Sequence, residues 1–340
     1  MKPHALRTLS RNVATVLAAG LLAAGAAQAQ QFTMKLSSPT INDVQHEWMK
    51  AFKSGVEARS GGRVKVEMYP ANQLGQIPRT VEGVALGTIE LTAPAVGFLI
   101  GLEPRFEVFD VPGLFDDVRH GQAVFNDPDI RKRLATFGAA KGVEPLTMFL
   151  NGPLMLLSHK PVRTLNDFKG QKIRVPGPAP LHIEPFRKLG ASPLSMPLGE
   201  ALPAMQNRTI DGSIASFSVF TAFKYYDVAK GITQLPKSFL VASGLVNRAF
   251  MKSLGPELEA IVREEARKAE GVFSNWGYDE VGRIQKNWES NGGQTIQFPA
   301  AEANRYVEDV VSVAAGIVAK NPRHKEDYDA LLAAAKKHRK

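Results

Sequence analysis

The sequence predicts an α/β fold, as one large domain or as two lobes each built of a mixed sheet flanked by helices, and three observations carry that prediction. The first ordered stretch alternates apolar and polar residues over Phe32–Ser37, turns helical over Val44–Ala58, and alternates again over Arg63–Tyr69, which is a β-loop-α-β unit. Later β-like segments stop abruptly at Pro/Gly turns, the sharpest being Lys172–Val175 followed by Pro176-Gly177-Pro178-Ala179-Pro180. A helical periodicity then runs from Leu254 through Ile261, Ala266, Phe273 and Val281 to Trp288, and at 1.5 Å per residue such a helix is roughly 50 Å long, enough to span both lobes. A chain of 340 residues suits one large domain or two lobes.

The elements follow in order. Val44, Trp48, Ala51, Phe52 and Val56 give the first helix its apolar stripe, and Ser60-Gly61-Gly62 ends it. Pro78–Leu86 reads as helix, and Gly87–Thr92 as a turn and strand. Phe106–Phe115 is apolar enough to be core. Asp117–Ala140 is helical, with Asp127-Pro128-Asp129 starting a second helix. Glu144–Leu150 is a strand expected to cross into the second lobe, and the apolar run Phe239–Asn247 is expected to cross back. Between them lie a helix at Leu181–Leu189, a strand with turns over Gly190–Pro197, a short helix from Glu200 and a strand entered through Thr209-Ile210-Asp211-Gly212. After the long helix come a short strand, Gln294–Phe298, and closing helices over Ala300–Lys320 and Asp327–Lys337.

Residues 1–29 stand apart. Lys2, Arg7 and Arg11 precede an apolar run, Val13–Gly25, too short to span a bilayer, and Ala27-Gln28-Ala29 is an Ala-x-Ala cleavage site. The expectation is a secretory signal peptide cut after Ala29 and an exported, periplasmic mature protein. There are no cysteines, which removes disulfides, thiolate metal sites and cysteine nucleophiles. The formal charge of +9 falls to +6 once the three signal positives are removed (9 − 3), and part of the excess sits in Lys336-Lys337-His338-Arg339-Lys340. With export and no basic–aromatic module, nucleic acid is not an expected partner; a mild positive field suits anionic solutes.

Arg174 is the penultimate residue of its strand, on the opposite face from Ile173 and Val175, at a sheet rim where α/β proteins place ligands. A guanidinium there needs an anionic partner, and spacing alone leaves two: an Asp or Glu of the domain, or a ligand carboxylate. Other candidates gather around the same rim. The polar turn Gln73-Leu74-Gly75 offers backbone donors, and Phe98 in the Pro/Gly-marked loop Ala93–Phe98 offers a wall. Phe217 and Phe220 are either buried core or surfaces for a planar or apolar solute, and Ser216 or Ser218 offers one hydrogen bond.

The run Asn166-Asp167-Phe168-Lys169-Gly170-Gln171-Lys172-Ile173-Arg174-Val175-Pro176 resembles the signature of the periplasmic solute-binding proteins of tripartite ATP-independent periplasmic (TRAP) transporters. The segment from Tyr69-Pro70 through Gln73-Leu74-Gly75 to Gly87-Thr88-Ile89-Glu90 is similar to the same family, as is the order Glu200…Ala201-Leu202…Ile210-Asp211-Gly212. The resemblance covers most of the mature chain. It implies a two-lobed periplasmic-binding-protein-like fold with a long lobe-spanning C-terminal helix, an organic-acid carboxylate gripped by Arg174 beside Pro176, and delivery of the solute to membrane permease subunits. It also implies that the loop after the first strand lines the cleft, making Asn42, His46 and Trp48 candidates. Many members carry a further arginine near the position of Leu154, where this chain has the apolar run Asn151-Gly152-Pro153-Leu154-Met155, with Asn151 and Leu154 as the candidates. Sugar-acid binders tend to carry an amide after the Asp-Gly, where this chain has Ala215–Phe220. Both departures favour an aromatic or apolar monocarboxylate over a polyhydroxy acid or a C4-dicarboxylate. In some members a metal bridges the carboxylate; no residue here decides that, and no metal ligand or cofactor is assigned.

The expected lobes are residues 30–150 with about 241–275, and residues 151–240 with about 276–340. A monomer is expected. No Gly-x-Ser-x-Gly elbow, His-Glu-x-x-His, Walker loop or Gly-x-Gly-x-x-Gly occurs, and the seven histidines are scattered, so the chain is not expected to be an enzyme. The alternative is another exported binding module, such as an ABC-type binder, which would share the lobes but not these motifs.

Overall fold

The computed structural model describes residues 31–339, with the side chains of 274–279 excepted; the signal-peptide expectation, on 1–29, lies outside the described residues. The described strands form one mixed sheet. β1 (Phe32–Ser37) pairs in parallel with β2 (Val64–Tyr69) and β3 (Leu91–Thr92), a wing built by the opening β-loop-α-β unit. A second parallel wing joins β5 (Lys172–Val175) to β6 (Ser192–Ser195) and to β7 (Gly212–Ser216). Two long antiparallel strands connect the wings: β4 (Val143–Ser158) and β8 (Gly231–Asn247). β3 attaches to β8 at Leu245 and Val246, β7 attaches to β4 at Leu154–Ser158, and β9 (Gln294–Ile296) lies parallel to β8 at Gly231–Thr233. The two wings thus hang from opposite ends of one ribbon.

The ribbon is irregular between its ends. The β4–β8 register shifts between Leu150 and Pro153 and again before Met155, around Gly152 at φ +117°. A residue inserted on one strand bends it and changes where its side chains point. Asn151-Gly152-Pro153 interrupts the alternation, so the sequence shows a strand only to Leu150, whereas the chain continues extended to Ser158.

Helices cover both faces. α1 (Val44–Arg59) starts at Asp43, whose side chain accepts from the His46 amide, and buries Val44, Trp48, Phe52 and Val56. α2 (Ile77–Leu86) follows β2. α3 (Val118–Phe125) and α4 (Pro128–Leu134) precede β4, and Asp127 caps α4. α5 (Pro180–Lys188), α6 (Leu198–Gln206) and α7 (Phe217–Ala222) belong to the second wing, and α8 (Arg248–Ser253) leaves β8.

The stretch expected to be one helix over Leu254–Trp288 is two, α9 (Gly255–Ala269) and α10 (Gly271–Ser290). The break falls at Glu270, a good helix former whose carboxylate is drawn inward by Thr147 Oγ1 at 2.8 Å and Arg131 at 2.6 Å. Gly271 follows it and weakens the helix at that point. Together the pair still reaches from one wing to the other: α9 packs on α1, and α10 packs on α1 and α3, then on α7 and β9. α11 (Ala300–Val318) and α12 (Pro322–His338) close the fold. No helix among the described residues is long and apolar enough to cross a membrane.

Candidate functional site

A small cavity opens where the two wings meet the irregular centre of the ribbon. Arg174 and Pro176 line it from β5 and its exit turn, Asn151 and Leu240 from the ribbon, and Thr40 and Gln45 from the loop and first turn after β1. Phe98, Ala95 and Ala242 complete one side; Ala95 and Ala242 form an isolated bridge. Its volume is about 30 Å³, the room of one water, so the walls nearly meet in this conformation.

Arg174 is only 2% exposed. Nε donates to the Met196 carbonyl at 2.9 Å and Nη1 to the Ile214 carbonyl at 2.8 Å. These two bonds fix the plane of the guanidinium and leave Nη2, and one N–H of Nη1, without a protein acceptor among the described residues. No carboxylate pairs with it. Burial pushes its pKa down to about 10, with Tyr225 the one group opposing the shift, so the group is still cationic at neutral pH. A buried cation without a counter-charge is costly, and here Arg174 lines the cavity.

The turn after β5 closes the site. Gly177 has φ +114°, and a Cβ there would fall 2.5 Å from the carbonyl carbon of Gly97. Gly97 in turn would carry a Cβ 2.6 Å from His182 Cε1 and 2.7 Å from the Pro176 carbonyl oxygen. Two glycines from opposite wings therefore let backbone meet backbone, which brings Phe98 and Pro176 together at the cavity. Beside them His182 Nε2 lies 3.1 Å from Asp110 Oδ2, both side chains buried.

Of the residues singled out in the sequence, Arg174, Pro176, Asn151 and Phe98 line this cavity. The others lie elsewhere. Phe220 is fully buried edge-on to Tyr225, and Phe217 meets Trp288 edge-on. Ser216 is buried with its hydroxyl 3.1 Å from that of Ser218. Leu154 pairs with Ser216 across β4–β7 and packs in the core beside Ile214. Gln73 is exposed in its turn. Asn42, at φ +55°, lies on an outer groove with Glu47, Thr221 and Lys224, and its amide donates to His46 Nδ1. Trp48 is core, stacked between Phe52 and Phe273.

Thr40, Gln45, Ile77, Leu198, Val219 and Leu240 line the cavity and were not singled out. Gln45 carried a signal: it is a polar residue next to Val44 on the buried stripe of an amphipathic helix. A larger cavity of about 210 Å³ lies under α9, but its buried carboxylates are already answered, Glu144 by Arg263 and Glu270 by Arg131.

Comparison with known proteins follows this geometry. The family model described as bacterial extracellular solute-binding protein, family 7, matches residues 37–321. The chain is 30% identical over 245 residues to the 2,3-diketo-L-gulonate-binding periplasmic protein of Escherichia coli (strain K12), covering 72% of this chain and 73% of that protein. Among solved structures, the TRAP periplasmic solute-binding protein from Desulfovibrio salexigens with bound orotic acid superposes with a TM-score of 0.85 at 23% identity, over 91% of this chain and all of that one. The sugar-acid-binding protein from Advenella mimigardefordensis strain DPN7T in complex with galactonate gives 0.84 at 22%, over 91% and 99%. The family match defines an extracytoplasmic solute receptor, and the chain belongs to family 7 of the bacterial extracellular solute-binding proteins, the periplasmic receptors of TRAP transporters.

Proposed function

We propose that this protein captures a small organic acid in the periplasm and delivers it to the membrane permease of a TRAP transporter, with Arg174 gripping the carboxylate. The carrying observation is the buried guanidinium, without a carboxylate partner among the described residues, on the lining of a cavity between two wings of the sheet. Residues 1–29 serve as the export signal. The lobes are residues 30–150 with about 241–275, and 151–240 with about 276–340, hinged on β4 and β8. The site opens by separation of the lobes and closes on the acid, so that binding energy shifts an open–closed equilibrium.

The expectation of an aromatic or apolar acid is withdrawn. It rested on Phe217 and Phe220, which face Trp288 and Tyr225, and on the loss of polar groups, which Gln45, Thr40 and Asn151 restore. Relatives named for diketogulonate and galactonate point the same way.

The test is thermal unfolding of residues 30–340 with a panel of sugar acids, hydroxy acids, 2-oxo acids, dicarboxylates and aromatic acids. A ligand at about 100-fold over its Kd adds roughly 2.7 kcal/mol of stability. A shift with one acid class that vanishes in Arg174→Ala supports the proposal; the same shift in the variant overturns the assignment of Arg174.

A further inference from the structure

The polar lining of the cavity is divided by hydrogen-bonding sense. Arg174 has only donors to give. The same lining holds two amides whose nitrogens are already committed. Asn151 is buried, and its Nδ2 points to Asp43 Oδ2 at 3.3 Å. Asp43 Oδ1 accepts from the His46 amide at 3.0 Å, and an ionised Asp43 presents Oδ2 as the acceptor for the Asn151 nitrogen. Asn151 Oδ1 is thereby turned away, buried and without a hydrogen-bond partner. Gln45 Nε2 is committed in the same way, donating to Ser38 Oγ at 2.5 Å and to the Ala93 carbonyl at 2.7 Å, and Oε1 accepts from no donor among the described residues. Both residues line the cavity together with Arg174.

We infer that the receptor selects acids carrying an O–H or N–H donor away from the carboxylate, with Asn151 Oδ1 and Gln45 Oε1 as the acceptors that read it. This rests on the reading of Arg174 as the carboxylate grip. A buried acceptor left unmade is penalised, so an analogue lacking the donor loses affinity, and a second carboxylate meets two carbonyl oxygens and is repelled. Asn151 and Gln45 therefore set specificity while Arg174 sets affinity for acids in general.

Matched acids test this on the wild-type protein by calorimetry: 4-hydroxybutyrate against butyrate and succinate, and 6-hydroxyhexanoate against hexanoate and adipate. The hydroxy acid of the better-fitting length is expected to bind at least about tenfold tighter than both analogues, the worth of one hydrogen bond to a buried group. Asn151→Leu reduces the preference to within about threefold, with the melting curve reporting whether the variant folds. Equal or tighter binding of butyrate, succinate or their longer counterparts, still dependent on Arg174, overturns the specificity assignment and leaves the proposed function standing. Binding of these acids that is unaltered in Arg174→Ala overturns the carboxylate grip, and binding of none of them overturns the donor rule together with it.

Discussion

Two buried arginines in this chain differ in every contact. Arg105 is 5% exposed and Arg174 is 2% exposed. Arg105 Nε bonds Asp327 Oδ2 at 2.7 Å, Nη1 and Nη2 reach Thr136 Oγ1 at 3.1 and 3.0 Å, and the guanidinium sits 3.8 Å over the ring of Phe137. Arg174 has two carbonyls and no anion. The first is a cation neutralised within the fold, docking α12 onto the segment before α3. The second is held in position by neutral groups, with no counter-charge among the described residues. The difference is the ground for the proposal that Arg174 serves a ligand where Arg105 serves stability.

Exchanging their fates is the strongest way to break that comparison. Arg105→Ala leaves Asp327 buried with Arg133 alone at 3.2 Å, and should cost about 3 kcal/mol or more of unfolding free energy by denaturant titration, without weakening acid binding. Arg174→Met keeps the apolar stem and removes an unpaired charge. Its unfolding free energy should stay within about 1 kcal/mol of the parent or rise, while acid binding is lost. A large stability loss in Arg174→Met would place it with Arg105 as a structural residue.

The glycines sharpen the comparison at a smaller scale. Gly142 and Gly177 both have positive φ, +70° and +114°. A methyl on Gly142 meets nothing within 4 Å, whereas on Gly177 it meets Gly97 across the wings. Gly142→Ala should cost roughly 1 kcal/mol of stability with binding unchanged. Gly177→Ala should cost roughly 1–3 kcal/mol for the backbone alone and should also weaken acid binding, because the wings no longer close. Equal binding by both variants would remove the Gly97–Gly177 contact from the closing mechanism.

How much of this was legible follows the range of the forces involved. The β1–α1–β2 unit was readable because alternation, helical spacing and the Asp43 cap are local, and its edges fall within a residue of those expected. The strand that ends with Arg174 and Val175 was readable because a short strand and a Pro-Gly stop are local too. The break at Glu270 was legible only in part: Gly271 is local, whereas Arg131 and Thr147, which hold the Glu270 carboxylate, are more than a hundred residues away. The roles of Phe217 and Phe220 depended on whether Trp288 and Tyr225 would cover them. Asn151 was singled out as part of a segment, but its orientation is dictated by Asp43, at the far end of the first wing.

Two helix-capping aspartates give the smallest effect and the clearest sign. Asp127 caps α4, and a hydrogen bond from Lys337, with further help from His338, holds its carboxyl down at about 2. Asp43 caps α1, and burial raises its carboxyl above the usual value. A depressed acid contributes stability that is complete above its unfolded value of 3.8 and lost as pH falls from there toward 2; a raised acid does the opposite, its folded form gaining relative stability as pH falls through its folded pKa. Acidification should therefore loosen the α12 end before the cavity. Lys337 is well exposed, so solvent screens this pair and the effect is modest. Hydrogen exchange between pH 5 and pH 2.5 should show protection of α12 falling, once the intrinsic rate change is removed, while α1 holds. In Asp127→Asn that pH dependence should flatten. Its persistence in the variant would mean that some other acid ties α12 down, with Asp327 beside Arg105 the first to replace.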